Sequence, residues 1–212
     1  MALSNYTELQ AAIAKRLHWT ELAMTALIVD YITIAEKRLN RDVKLLAQET
    51  ESSLTATIGS RFIALPALFG APIALYLITY LPRIDLEFRL PTAMQVYSSN
   101  GPAQFWTLDG SQLATDTPAD IAYTYALRYV AEYNLSATAT NALLTAYPDL
   151  YLYGALVEAA DDIRDDALLG RSQQRYAQAL QECQDNENAN RSISYLTTEF
   201  SSSNRQNIIR GM

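Results

Sequence analysis

Apolar positions recur along this chain in two rhythms, every three or four residues near the N-terminus and in the last third, and every second residue between them. In NYTELQAAIAKRL the residues Leu9, Ala12, Ile13 and Leu17 return at helical spacing. Asn5 with Glu8, or Thr7 with Gln10, can form a capping box, so a first helix is predicted here. A second helix start falls at Thr20; Leu27, Tyr31, Ile34, Ala35 and Arg38 continue one face, with Ile28, Ile32 and Leu39 beside it. An antiparallel pair of helices is the expectation.

From about Glu49 the pattern turns to alternation. SSLTATI and SRFIALP, on either side of Gly59-Ser60, read as two strands joined by a tight turn. IDLEFRL sets Ile84, Leu86, Phe88 and Leu90 against Asp85, Glu87 and Arg89, which predicts a strand with one buried face. AQFWTLDGSQLAT carries Asp109-Gly110 between two short strand-like runs, a hairpin signal. DIAYTYALRYV lines up Ile121, Tyr123, Tyr125, Leu127 and Tyr129 on one face. ALFGAPIALYLI is compatible with helix or strand, and the strand register of 68–90 stays open.

Helical spacing returns at Pro148, a residue that loses no hydrogen bond at the first helical position. Leu152, Leu156, Ala159, Ala160 and Ile163 form one stripe, and Tyr153, Gly154 and Val157 the adjoining one. Tyr151, Tyr153 and Gly154 are therefore assigned to helix packing. A mid-helix glycine costs about 1 kcal/mol against alanine, which predicts close approach of another backbone at Gly154. A last helix carries Leu169, Tyr176, Leu180 and Cys183. Beyond it, Asn and Ser dominate, and the only apolar anchors are Ile193, Tyr195, Leu196, Phe200, Ile208 and Ile209. Such a segment reads as a polar arm that orders on a partner, or as an idle tail. The expected fold is α+β, an antiparallel helical bundle with an inserted small antiparallel β-sheet region and an extended C-terminal arm. Its expected parts are an N-terminal helical hairpin (1–48), a β-rich insertion (49–135), a C-terminal helical hairpin completing the bundle (136–185), and an extended or disordered arm (186–212).

Composition narrows the function classes. Half of the 212 residues are apolar and 18% are charged, a globular balance. A net charge of -7 argues against a general grip on nucleic acid, which needs clustered Lys and Arg, while leaving passive contact with DNA open. One cysteine, Cys183, excludes an internal disulfide and a four-cysteine zinc site. The N-terminus lacks the basic start and apolar stretch of a signal peptide, and no uncharged apolar run reaches the roughly 20 residues of a membrane span. The chain is expected to be cytosolic where it is made and to have no membrane partner.

Chemistry is sparse. No nucleophile elbow, phosphate-cradling glycine loop or paired Cys and His is present, and the single His18 has no second ligand at metal spacing. Asp161, Asp162, Asp165 and Asp166 form the densest acidic cluster. On a helix, interrupted by Arg164, they read as a solvated or subunit-facing surface, with a metal site as the competing reading. Fourteen tyrosines point to core or interface packing over stacking on a ligand. No catalytic, metal or cofactor-binding residue is assigned, and no enzymatic activity or cofactor is expected.

Four segments, MALSNYTELQAAIAKRL, IAEKRLNRDVKLLAQETESS, RFIALP and above all PDLYLYGALVEAADDIRDD with the following YAQAL, resemble the head-to-tail adaptor proteins of tailed bacteriophages with podovirus-like tails. The similarity runs in order from about residue 1 to 183. It implies a structural virion neck protein: a dodecameric adaptor ring that docks beneath the portal protein, connects it to the tail nozzle or tail proteins, and lines the channel through which genomic DNA passes without specific binding. An acidic chain suits such a channel, because like charge suppresses phosphate binding.

On this reading Tyr195, Leu196, Phe200, Ile208 and Ile209 form a portal-binding arm, the helical hairpins make the ring wall, and the β part faces the tail. Arg38 or Arg41 of one copy is expected to meet the face Asp161, Asp162, Asp165, Asp166 of its neighbour. Two other classes compete. One is a small-molecule-binding or enzymatic α+β domain, which lacks a convergent set of polar groups. The other is a phage assembly chaperone absent from the mature virion, which would share the acidity and the tail.

Overall fold

The two rhythms separate into two units in the computed structural model, which describes residues 3–19 and 22–209, with side chains described for 3–19 and 26–190. One unit comprises Met1–Leu46 with Asn134–Met212, the other Ala47–Tyr133.

In the first unit, α1 spans Tyr6–Leu17. The Asn5 side chain accepts from the Glu8 amide at 2.9 Å, while the Glu8 carboxylate reaches back to the amide and hydroxyl of Ser4. The capping box thus closes one residue earlier than its Asn5–Glu8 form requires. His18 ends the helix at φ 56. The helix start read at Thr20 lies outside the described residues, and α2 runs Leu22–Asp42. Ile28, Ile32, Ala35 and Leu39 are buried on it, whereas Ile34 is exposed. Two short helices, α3 (Leu135–Thr138) and α4 (Ala142–Ala146), are each capped by an asparagine, Asn134 and Asn141.

Helix α5, Pro148–Asp162, begins at its proline and is apolar nearly all round. Such a helix belongs inside a core, and α1, α2, α4 and the following α6 all pack against it. Its expected stripe ends early, since Ile163 is exposed. Arg164 turns the chain at φ 58, and Asp165 caps α6, its carboxylate accepting from the Leu168 amide at 2.9 Å. Ser172, Tyr176, Ala179 and Cys183 form the buried stripe of α6.

Helix α6 covers Asp166–Ile209, so the expected extended arm is corrected to a continuous helix of 44 residues. From Arg171 to Arg210 the chain contains neither glycine nor proline. Once nucleated, a helix adds a hydrogen bond with each further residue, so a polar, unperiodic sequence without a breaker continues it. The side chains of Tyr195, Leu196, Phe200, Ile208 and Ile209 lie outside those described.

The second unit also overturns the expected bundle with a small inserted antiparallel sheet. It holds a seven-stranded, curled, mixed sheet in the order β1-β7-β3-β4-β5-β6-β2. The strands are β1 (Glu49–Thr55), β2 (Phe62–Ala64), β3 (Phe69–Leu77), β4 (Ile84–Phe88), β5 (Phe105–Asp109), β6 (Gln112–Thr115) and β7 (Thr124–Ala131). The ambiguous ALFGAPIALYLI is β3, whose register breaks around Gly70 and Ile73 as it follows β7.

The expected β1–β2 hairpin does not form. Gly59 turns the chain at φ 78, but β1 pairs with β7 and β2 with β6, at opposite ends of the sheet order. The sheet is mixed because the long connection 89–104 returns the chain to run β5 parallel to β4. The Asp109-Gly110 hairpin does form, with Asp109 opposite Gln112 and Gly110 at φ 59. Leu75, Leu77, Trp106, Tyr125, Leu127 and Tyr129 fill the inner face, where Trp106 Nε1 donates to the Leu86 carbonyl at 3.1 Å. Of the face read from IDLEFRL, only Leu86 is buried; Ile84, Phe88 and Leu90 are exposed.

Candidate functional site

The two segments that carry the family resemblance most specifically, around AEKRLNRD and PDLYLYGALVEAADD, meet where α2 crosses α5. A Cβ placed on Gly154 would lie 3.2 Å from the Ala35 Cβ and 3.4 Å from the Tyr176 ring. Side chains of α2 and α6, not the other backbone predicted at Gly154, make this close approach. One turn earlier on α5, the Tyr151 hydroxyl donates to Glu36 Oε1 at 2.9 Å and accepts from Asn141 Nδ2 at 2.8 Å. The same Glu36 oxygen accepts from the Leu135 amide at 2.9 Å, at the start of α3.

Glu36 is a buried carboxyl, and burial pushes its pKa up against the downward pull of the Tyr151 and Leu135 hydrogen bonds. One turn beyond Gly154 on α5, Glu158 forms an ion pair with Arg38 of α2. At the end of α5 the Tyr31 hydroxyl donates to Asp162 Oδ2 at 2.5 Å, and burial, then that bond, push the Tyr31 pKa up to about 12. The contact is thus a ladder of one small-residue approach and three polar pairs.

This ladder redistributes the acidic cluster. Asp162 is held by Tyr31, Asp165 caps α6, and Asp166 sits in the first turn of α6, where a negative charge suits the helix dipole. Asp161 is exposed, and its carboxylate takes no hydrogen bond or ion pair among the described residues. Arg38 is engaged by Glu158 of its own chain, and Arg41 lies exposed in the last turn of α2. Among the described residues no group of three or more His, Cys, Asp or Glu could hold a metal ion, and no helix is long and apolar enough to cross a membrane. Cys183 is buried, and its pKa is pushed up to about 11 by that burial and by Glu187 and Asp149, so it stays a thiol.

Among the open grooves beside α6, two are shared with α5. One, of about 390 Å³, is lined by Arg38 of α2, Val157, Glu158 and Asp161 of α5 and Leu169, Gln173 and Tyr176 of α6. The other, of about 400 Å³, is lined by Arg16, His18, Tyr153, Leu156, Leu168, Arg171, Ser172 and Arg175. The Arg16 guanidinium lies over the Tyr153 ring at 5.3 Å. Neither Glu36 nor this arginine groove stood out in the sequence. Arg171 and Arg175, four apart on one helix face of an acidic chain, were the available signal for the groove.

A helical unit knit by its two signature segments, joined in one chain to a curled sheet with apolar side chains on its outside, is an architecture of contact surfaces. Over residues 4–200 the chain matches the family model of the SU10 adaptor protein, and it belongs to that family. It is a phage adaptor-type protein, and membership supports a structural role over an enzymatic one. No curated protein matches it.

Proposed function

We propose that the chain is a structural component of the virion neck, a ring of twelve copies that docks on the portal protein and presents a platform to the tail nozzle or other tail proteins of a podovirus-like particle. The match to an adaptor family over nearly the whole chain carries this reading. Two features support it. Large apolar side chains stand out from the sheet unit, Leu81 at 95% exposure and Leu90 at 63%, a surface that neighbours in an assembly would cover. A net charge of -7 lets DNA slide through a channel without adhering.

Within the proposal, the residues of α6 beyond 190, with Tyr195, Leu196, Phe200, Ile208 and Ile209, reach the portal, and the helical units form the ring wall. Arg41 with Asp161, Asp162, Asp165 and Asp166 is placed at the wall between subunits, while Arg38 is shared with Glu158. Mass spectrometry of purified virions tests the role: an adaptor is present in the particle, and absence would point to an assembly chaperone. Electron microscopy of the protein mixed with portal-bearing capsids is expected to show a stacked twelvefold ring; free chains beside unaltered portals would defeat the proposal.

A further inference from the structure

The two grooves shared by α5 and α6 carry opposite charge. Residues 168, 171, 172 and 175 of α6 with 153 and 156 of α5 face one groove; residues 169, 173 and 176 with 157, 158 and 161 face the other. These sets are displaced from each other by about a third of a turn on each helix, so the grooves lie on opposite flanks of the α5–α6 pair. The first flank holds Arg16, Arg171 and Arg175, all exposed, and none of them is in an ion pair among the described residues. Among the described residues no carboxylate lines it. The second flank holds Glu158, already satisfied by Arg38, and the uncommitted Asp161, with Asp166 exposed at the start of α6.

We infer that the arginine groove is the receptor for the acidic flank of a second copy of this chain. Arg171 and Arg175, with Arg16, take the carboxylates of Asp161 and Asp166 of the neighbour. Guanidinium forks bind planar carboxylates in a bidentate manner, and three of them in one groove of an acidic protein select an acidic partner. Donor and acceptor patches lie on different flanks of one chain, so the contact is head-to-tail, the kind that closes rings. This rests on the ring reading above and specifies its lateral interface; it also replaces both Arg38 and Arg41 as the basic partner of that face, since Arg38 is engaged within its own chain and Arg41 lines neither groove. Duplex DNA offers phosphates to the same forks, but self-association is favoured because the chain itself supplies the matching acidic flank.

The test is charge exchange in the full chain, read by native mass spectrometry and negative-stain microscopy with and without portal-bearing capsids. Arg171→Glu with Arg175→Glu, and separately Asp161→Arg with Asp166→Arg, are each expected to weaken assembly at least ~10-fold. An equimolar mixture of the two variants is expected to restore it, since in an alternating ring every interface again pairs Arg with a carboxylate. Rescue by mixing is a readout that misfolding cannot mimic. If the wild-type chain assembles and either variant alone assembles equally well, or the mixture stays dispersed, the interface is overturned while the ring reading stands. If the wild type forms no multi-copy assembly under either condition, both fall. If the arginine variant assembles normally but loses binding to labelled duplex DNA that the wild type shows, the groove is a phosphate site and the inference is overturned.

Discussion

The α2–α5 contact and the outer surface of the sheet use side chains in opposite ways. Between the helices, small residues and polar groups are held inside and paired: Gly154 on Ala35, Tyr151 on Glu36, Glu158 on Arg38. On the sheet unit, large apolar groups stand outside, with Leu81, Leu90, Ile58 and Val96 all more than half exposed. The first arrangement fixes one internal geometry, because a buried polar group left without its partner is costly. The second leaves apolar area for other molecules to remove from water. An adaptor needs both, a subunit that keeps its shape and surfaces completed by neighbours.

Crowding the helix contact should break the first half of this contrast most severely. Gly154→Leu drives a branched side chain into Ala35 and the Tyr176 ring and is expected to destabilise the chain by roughly 3 kcal/mol, read in chemical denaturation. Gly154→Ala sharpens the point. Its added methyl meets Ala35 at 3.2 Å, a tight contact that opposes the helix-propensity gain of about 1 kcal/mol, so the net effect should stay within roughly 1 kcal/mol. If Leu were tolerated as well as Ala, the helices would not be locked at this point.

Removing the buried acceptor comes next. Glu36→Ala leaves the Leu135 amide and Tyr151 hydroxyl without it and is expected to cost about 2 kcal/mol. Glu36→Gln keeps an oxygen for both donors and discriminates by pH. With its folded pKa raised above the unfolded value, Glu36 binds its proton more tightly in the folded chain. Its contribution to stability is therefore greatest below the ordinary carboxyl range, declines as pH rises through the folded pKa, and is flat above it. The Gln variant lacks that decline, so its stability should gain on wild type as pH rises across that window. Parallel curves would mean that Glu36 is not strained by burial.

The Arg38–Glu158 pair should matter less, because Arg38 is about a third exposed. A double-mutant cycle with Arg38→Met and Glu158→Gln is expected to return a coupling of about 0.5 kcal/mol. A much larger coupling would make this pair, and not Gly154 or Glu36, the main lock between α2 and α5.

The parts of this contrast differ in how far the sequence discloses them, and the dividing line is sequence separation. Helix α1 and the Gly110 hairpin are written in residues that touch within a few positions, so spacing and turn chemistry sufficed. The β1–β2 hairpin misled because a glycine turn says where the chain bends and nothing about where its strands find partners; β1 pairs with a strand some 70 residues on. Alternation in IDLEFRL identified β4, yet a period of two cannot tell a covered face from a bare one. Arg38 was legible as a charge near a helix end, but its partner lies 120 residues away, and Glu36 and Tyr151 are 115 apart. The arginine groove assembles Arg16 with Arg171 and Arg175 across a wider gap still. The first part of helix α6 was legible from Leu169, Tyr176, Leu180 and Cys183, but its continuation beyond Cys183 was missed because that Asn- and Ser-rich course has no apolar period; absence of a breaker was the usable sign.

The smallest effect on stability should come from the exposed apolar groups, and there the contrast is sharpest. Leu81→Ser and Leu90→Ser touch side chains that the folded chain scarcely buries, so each should move the unfolding free energy by no more than about 0.5 kcal/mol. If these groups serve assembly, the same variants should dock less completely on portal-bearing capsids or recruit tail components less well, read by the fraction of particles carrying the next component. Loss of stability with assembly intact would mean that these leucines serve the fold of their own unit. Assembly lost at unchanged stability would place a working contact on the sheet unit, independent of the charged flanks of α6. The Leu81→Ser variant is the more telling of the two, because almost none of Leu81 is removed from water by its own chain, so any effect on assembly has to arise from what covers it there.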